Sequence, residues 1–297
     1  MTTSQSTQYT TSTFLGGFGM LTWATTGCIA SQLARIPPFE FLALTALVNL
    51  LSSCFQLTYY KKWSSLKQPL FFWAIGCLCV PMNTLGYFWS FQYINPALAD
   101  LIYYMYPVQV LLLASIFSKG SSFWKSIIGA FISFLGVCVL LYQDLNSLGS
   151  PSVWEGVFFG FLGSFSWAAY SLATKFYSNA PFQMIGIFFG VGSIFSFGIH
   201  LATEVYVPPS FLEWAFIVFW GLIVQSLSIN LWEKGLRFGN FGFLNGLSFT
   251  IPIVSIFLLV LTGFTPLSYE LLIATALVTL GLSLNYKDIE VFENKPA

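Results

Sequence analysis

Ten stretches of roughly twenty mostly apolar residues follow one another along the chain, at about 14–34, 40–60, 70–91, 97–117, 123–142, 153–174, 182–203, 212–232, 240–262 and 268–286. Each has the length an α-helix needs to cross about 30 Å of hydrocarbon. Polar or turn-forming breaks separate them: Pro37-Pro38, Lys61 to Ser65, Asn95-Pro96, Lys119 to Ser122, Asn146 to Pro151, Ser178 to Pro181, Pro208-Pro209 and Thr265-Pro266. None of these breaks is long enough to hold a soluble domain. A closed barrel also satisfies its backbone in lipid, but its strands alternate apolar and polar residues, and these runs do not. The pattern predicts an all-α membrane protein of ten transmembrane helices.

The second half of the pattern repeats the first. Asn95 recurs as Asn240, Asp100 as Asn245, Pro107 as Pro252 and Gly136 as Gly281, each at a lag of 145 (240−95, 245−100, 252−107, 281−136), and Trp23 pairs with Trp167 at 144. Leu and Phe matches are cheap in any apolar chain, whereas polar and helix-bending residues at one lag point to duplication. The expected organisation is a tail at 1–13, a first five-helix repeat at 14–145, a second at 146–286 and a tail at 287–297. Five spans carry the chain from one side of the membrane to the other, so the second repeat enters inverted, about an axis in the membrane plane. Two inverted copies can exchange shapes and expose a central site to each face in turn, which favours a transporter over a receptor or an enzyme.

Composition agrees with a lipid solvent. Apolar residues make up 56% and charged residues 7%, against roughly 25% charged in a soluble domain. Mean hydropathy is +0.76. The few basic residues set the orientation, because they are retained near cytoplasmic ends of spans. With the N-terminus inside, Lys61, Lys62, Lys67, Lys119, Lys125, Lys175, Lys234, Arg237, Lys287 and Lys295 all fall in the cytoplasm, and only Arg35 lies outside. Both termini are therefore expected to be cytoplasmic in a multi-pass protein of the cell membrane, of the bacterial inner-membrane kind. The first thirteen residues contain no Lys or Arg and so do not read as a cleavable signal peptide.

Candidate chemistry is sparse enough to weigh residue by residue. Asp100 is the one acid well inside an apolar run, and a carboxylate in hydrocarbon must turn toward the bundle interior. Counted on a regular helix, Asp100, Tyr103, Tyr104 and Pro107 share a face, mirrored by Asn245, Ser248, Phe249 and Pro252. One reading is an acid with aromatic rings that accept an amine or cation; the other is a carboxylate capping its own helix. Pro81, Pro107 and Pro252 each remove a backbone hydrogen bond within a span and are candidate hinges or kinks. Trp23 and Trp167 occupy equivalent mid-span positions, away from the headgroup belts, and are read as cavity walls or as packing. Asn83, Tyr87, Gln225, Asn230 and Trp232 can supply polar groups to the same cavity or bond between helices. Gly156 with Gly160, and Gly186 with Gly190, permit close helix contact. The five Cys are odd in number and read as small core residues, and the single His cannot build a metal site with its neighbours. No P-loop, nucleophile elbow or dinucleotide fingerprint stands in its required context, and no basic patch suits nucleic acid. No cofactor is called for.

The segment Tyr87-Phe88-Trp89-Ser90-Phe91-Gln92-Tyr93-Ile94-Asn95-Pro96-Ala97-Leu98-Ala99 leading to Tyr106-Pro107, followed by Gly129 and Gly136, resembles the EamA-like branch of the drug/metabolite transporter superfamily. Gly235 to Asn240 leading to Ile251-Pro252 is similar to the same element in looser form. The resemblance spans nearly the whole chain and implies ten helices and a secondary transporter. Where the family often carries a Gly-Glu pair after the fourth span of each repeat, this chain has Lys119-Gly120 and Gly263-Phe264, so no role of that Glu transfers. The implied partners are the lipid bilayer and a small organic solute, in a site formed by Trp23, Asn83, Tyr87, Asp100, Tyr103, Tyr104, Trp167, Asn230 and Asn245. Members of the family carry aromatic amino acids or S-adenosylmethionine, and the lone acid leans the expectation toward an amine- or sulfonium-bearing solute such as the latter. A membrane scaffold or receptor with a filled core is the alternative from another class.

Overall fold

The structure, a computed structural model, describes residues 3–32, 35–117, 122–143, 151–177, 179–240, 244, 247 and 250–284. The helices in chain order are α1 (Thr3–Trp23), α2 (Thr26–Gln32), α3 (Pro38–Tyr59), α4 (Leu70–Ser90), α5 (Pro96–Tyr103), α6 (Tyr106–Phe117), α7 (Ser122–Gln143), α8 (Pro151–Phe176), α9 (Met184–Thr203), α10 (Phe211–Phe219), a π-helical stretch Trp220–Leu227, α11 (Ser228–Phe238), α12 (Ile251–Leu261) and α13 (Tyr269–Ser283). A short 3₁₀ turn, Trp63–Leu66, joins α3 to α4. There is no strand among the described residues. The fold is the expected all-α bundle.

Helix starts follow the breaks read from the sequence. Pro38 and Pro96 stand in the first turn of α3 and α5, where a missing N–H is harmless. Asn95 Oδ1 accepts from the Leu98 amide at 2.9 Å, and Ser268 caps α13 through Leu271. Ser210 and Glu213 form a reciprocal capping box on α10. Helix α1 begins at Thr3, well before the first apolar run, so the Ser/Thr-rich stretch expected as a tail continues the helix.

Three of the ten spans are not continuous helices. The first divides at Ala24–Thr25 into α1 and α2, and the fourth at Tyr104–Met105 into α5 and α6. The ninth resumes as α12 after Thr250. The positions of the fourth and ninth breaks correspond under the repeat. Pro107 and Pro252 therefore do not bend a continuous span. Each lies in the first turn of a new helix, just past the break. Pro81 sits inside unbroken α4. Among the described residues five helices are long and apolar enough to cross a membrane whole, within α3, α4, α8, α9 and the run Phe211–Gly235. The outer surface of the bundle is apolar, with Phe14, Phe55, Leu70, Ile194, Phe211 and Tyr269 exposed, as suits a lipid-facing wall.

The packing is two-fold. Helices α1 and α11 pack together, as do their counterparts α8 and α4, while α3 packs on α9 and α7 on α13, each against its own repeat image. A Cβ on Gly19 would lie 2.6 Å from the Ser228 carbonyl, and one on Gly163 would lie 2.9 Å from that of Asn83. Gly19 and Gly163 are repeat equivalents at 144, Asn83 and Ser228 at 145, so the same backbone approach occurs twice with the halves exchanged. Gly156, Gly160, Gly186 and Gly190 all lie in such helix contacts. Because each repeat crosses an odd number of times, counterpart helices run in opposite directions.

At one end of the bundle, Glu204 accepts from the Phe39 and Glu40 amides at 3.1 Å, capping α3 from the end of α9, and is held by His200 Nδ1 at 2.9 Å. Glu40 Oε2 accepts in turn from the Val207 amide at 3.0 Å. Arg35, half exposed, pairs with the largely covered Glu213, and that carboxylate pushes the guanidinium pKa further up.

Candidate functional site

The first span ends its opening helix at Trp23 because Thr hydroxyls satisfy the carbonyls at the break: Thr22 Oγ1 donates to Gly19 O at 2.7 Å and Thr25 Oγ1 to Thr22 O at 2.6 Å. This places the Trp23 indole at the centre of the bundle. It donates to the Val224 carbonyl in the π stretch at 3.3 Å. Its ring meets that of Trp167 edge-on, with centroids 6.3 Å apart and planes at 86°, and that of Trp232 at 5.8 Å. The two tryptophans matched by the repeat thus touch each other across the interface of the halves.

Around this pair lies a cavity with about 670 Å³ of empty space, counting its open mouth. Its walls come from both repeats, and nine of its sixteen lining residues are aromatic: Trp23, Tyr87, Phe88, Tyr103, Tyr104, Tyr106, Trp167, Phe189 and Trp220. Thr26, Asn83, Thr84 and Gln225 add the polar lining, and no charged side chain is among the lining residues. Asn83 Nδ2 donates to Tyr103 Oη and to the Gly163 carbonyl, both at 3.1 Å, which locks the amide between α4, α5 and α8. The Tyr87 and Tyr103 rings pack at 4.6 Å, and Tyr104 Oη donates to the Trp23 carbonyl at the first-span break, at 3.3 Å. Gln225 is buried, and its Oε1 has no protein partner. Such a chamber can stack planar or apolar groups on its walls and offer hydroxyls and amides to a polar end.

The sequence profile of the EamA-like transporter family matches twice, over residues 11–142 and 154–287. The chain belongs to the EamA-like transporter family. This EamA-like chain is 27% identical over 271 residues to a protein of Ancylobacter novellus named aromatic amino acid exporter YddG, covering 91% of this chain and 94% of that one. It is 28% identical to the uncharacterized transporter YxxF of Bacillus subtilis, over 82% of this chain and 79% of that one. A solved crystal structure at 25% identity superposes with a TM-score of 0.72 over 96% of this chain and 100% of its own.

Seven of the residues singled out from the sequence line the EamA-like cavity: Trp23, Asn83, Tyr87, Tyr103, Tyr104, Trp167 and Gln225. Asp100 does not. It is fully buried one layer behind, where one oxygen accepts from the Tyr87 hydroxyl and the other from the Ser255 hydroxyl. It does not cap its own helix either, since Asn95 does that. Tyr87, which lines the cavity, stands between it and this acid. Asn230 also turns away from the cavity, its Nδ2 donating to Gln56 Oε1 at 3.5 Å in a cluster with Gln183, Ser52 and Ser226. A π-helical stretch precedes it and shifts the helical register, so faces counted on a regular helix do not carry through. Asn245, with Ser248 and Phe249, lies outside the described residues. Sequence reasoning missed Tyr106, Phe189 and Trp220 as lining residues. Tyr106 adjoins the Tyr103-Tyr104 pair and could have been found from it, whereas Phe189 and Trp220 carry no polar or repeat signal.

Proposed function

We propose that this EamA-like protein is a secondary transporter that carries a small amine-bearing organic solute with a planar aromatic part, an aromatic amino acid or a close analogue, by alternating access. The observation that carries the reading is the chamber between the repeats, walled from both sides by the paired Trp23 and Trp167 and lined by nine aromatic rings without a charge. A planar ring gains area burial and stacking there, while Thr26, Gln225 and neighbouring hydroxyls receive its polar end. The name of the Ancylobacter relative agrees. The expectation of S-adenosylmethionine rested on the lone acid facing the solute; with Asp100 turned to Tyr87 and Ser255 that ground is gone, although the rings alone can still hold a sulfonium by cation–π attraction. The cavity also speaks against a scaffold with a filled core. The basic residues support a multi-pass protein of the cell membrane with both termini in the cytoplasm.

Counterflow in proteoliposomes tests the reading. Vesicles loaded with unlabelled tryptophan should take up labelled tryptophan, with competition by phenylalanine and weaker competition by S-adenosylmethionine. Stronger competition by S-adenosylmethionine would reverse the order of substrates, and an absence of exchange for all three would remove the proposal.

A further inference from the structure

Beside the cavity the EamA-like fold holds a group that the solute pocket does not use. Asp100 is the one fully buried carboxylate among the described residues, and its partners are two neutral hydroxyls. They come from two other helices, Tyr87 on α4 and Ser255 on α12. Helix α2 closes the site from a third side, Gly27 lying so near that a Cβ there would collide with the carboxylate. No cationic side chain is paired with Asp100 among the described residues. The titratable groups that face it are Tyr87 from α4 and Tyr103 and Tyr104 beside it; α2 carries Cys28, whose thiol donates to Thr262 Oγ1 at 3.6 Å instead.

We propose that Asp100 is the site of a transported or coupling proton, so that solute movement is linked to the proton gradient; this rests on the transporter reading above. Both protonation states can be satisfied without moving backbone. Ionised, the carboxylate accepts from both hydroxyls. Protonated, the oxygen facing Tyr87 carries the new O–H and donates to Tyr87 Oη, whose own hydrogen turns to the cavity, while Ser255 still donates to the other oxygen. The proton enters from the cavity, since Tyr87 lines it: the phenol passes its hydrogen to the Asp100 oxygen it faces and takes another from a hydronium ion in the cavity, which is left as water, so the phenol ends neutral with one O–H broken and one formed, and one proton is bound at Asp100.

The location makes that proton matter to the conformation. The three broken spans converge on this carboxylate, with Gly27 just past the Ala24–Thr25 break, Asp100 one turn before the break at Tyr104, and Ser255 one turn past Thr250. Tyr104 further ties its break to that of the first span through the Trp23 carbonyl. Adding or removing a charge in low dielectric therefore acts at the joints that must rearrange when one face closes and the other opens.

Two measurements on the purified full-length protein test this. Infrared titration in lipid should show the carbonyl stretch of a protonated carboxyl rising as pH falls, and D100N should remove it; a band that is absent, or unaffected by D100N, overturns the proposal. In proteoliposomes containing a pH-sensitive dye, tryptophan addition should move protons in the wild type, and D100N should lower gradient-driven accumulation at least about tenfold more than it lowers counterflow, the size of an ordinary coupling factor. Accumulation that still follows the gradient in D100N, or wild-type exchange with no proton movement, overturns it. Wild-type protein that titrates in the infrared yet exchanges no solute defeats the substrate reading instead. Y87F, which keeps the ring and removes the relay hydroxyl, should slow proton uptake.

Discussion

The Ser133 hydroxyl donates at 3.3 Å to the carbonyl of Val278, a residue 145 positions later and therefore its own counterpart in the second repeat. A residue can bond to its image only where the two-fold axis passes, so α7 and α13 cross on that axis. Gly136 and Gly281, themselves a matched pair, let the backbones approach: a Cβ on Gly136 would lie 2.7 Å from the Ala274 carbonyl, and one on Gly281 would strike Gly129 and Ser133.

These two helices form a close-packed seam, and the prediction is a stability defect. Gly136→Leu and Gly281→Leu should each destabilise the protein by about 1–3 kcal/mol or more through overpacking, seen as a lower melting temperature in detergent. Ser133→Ala should cost about 0.6 kcal/mol, the usual worth of such a bond in a membrane. Equal melting temperatures for all three variants would contradict the crossing.

The tryptophan pair governs binding more than folding. Trp167→Ala should raise the KM of tryptophan counterflow about tenfold, from the loss of roughly 1–1.5 kcal/mol of ring contact. Trp23→Ala should do at least as much, since it also loses the bond to Val224 and the contact with Trp232. Replacement by Phe should restore part of the affinity in each case. Unchanged KM in both alanine variants would place the solute elsewhere.

Asn83 holds three helices at the cavity wall. Asn83→Ala leaves the Gly163 carbonyl and Tyr103 hydroxyl without this donor, at a cost of about 1–3 kcal/mol, and should lower both thermal stability and transport. Asn95→Ala removes only a helix cap and should cost about 1 kcal/mol, with Asn95→Asp close to wild type.

The polar contacts of Glu204 and Glu213 divide by the exposure of their partners, His200 being buried and Arg35 half exposed. Glu204→Ala strips the cap from α3 and should destabilise by about 1 kcal/mol. Arg35→Ala breaks an exposed bridge that water and salt already screen, and its melting temperature should match wild type in detergent.

Much of the fold was legible in the sequence. The ten apolar runs, their breaks, and the polar residues recurring at one lag settled an inverted pair of five-helix repeats, because lipid leaves the backbone so few options and a lag in Asn, Pro and Gly is hard to obtain by chance. The pairing of Trp23 with Trp167 was visible for the same reason. That Asp100 must face inward followed from the cost of a charge in hydrocarbon, whereas the contact between the two tryptophans came only with the structure.

Which neighbour Asp100 faces was decided only by tertiary structure. Helical faces can be counted forward only while the helix is regular, and the fourth span breaks at Tyr104, the eighth passes through a π stretch before Asn230, and Pro107 and Pro252 begin new helices where bends in continuous ones were expected. A short-range pattern cannot anticipate a hydroxyl arriving from Tyr87, thirteen residues earlier, or from Ser255, 155 residues later. The lining of the cavity by Phe189 and Trp220 was likewise hidden, because in a chain this apolar a ring on the lipid face and a ring in the chamber are the same letter, and only the packing of all the helices tells them apart.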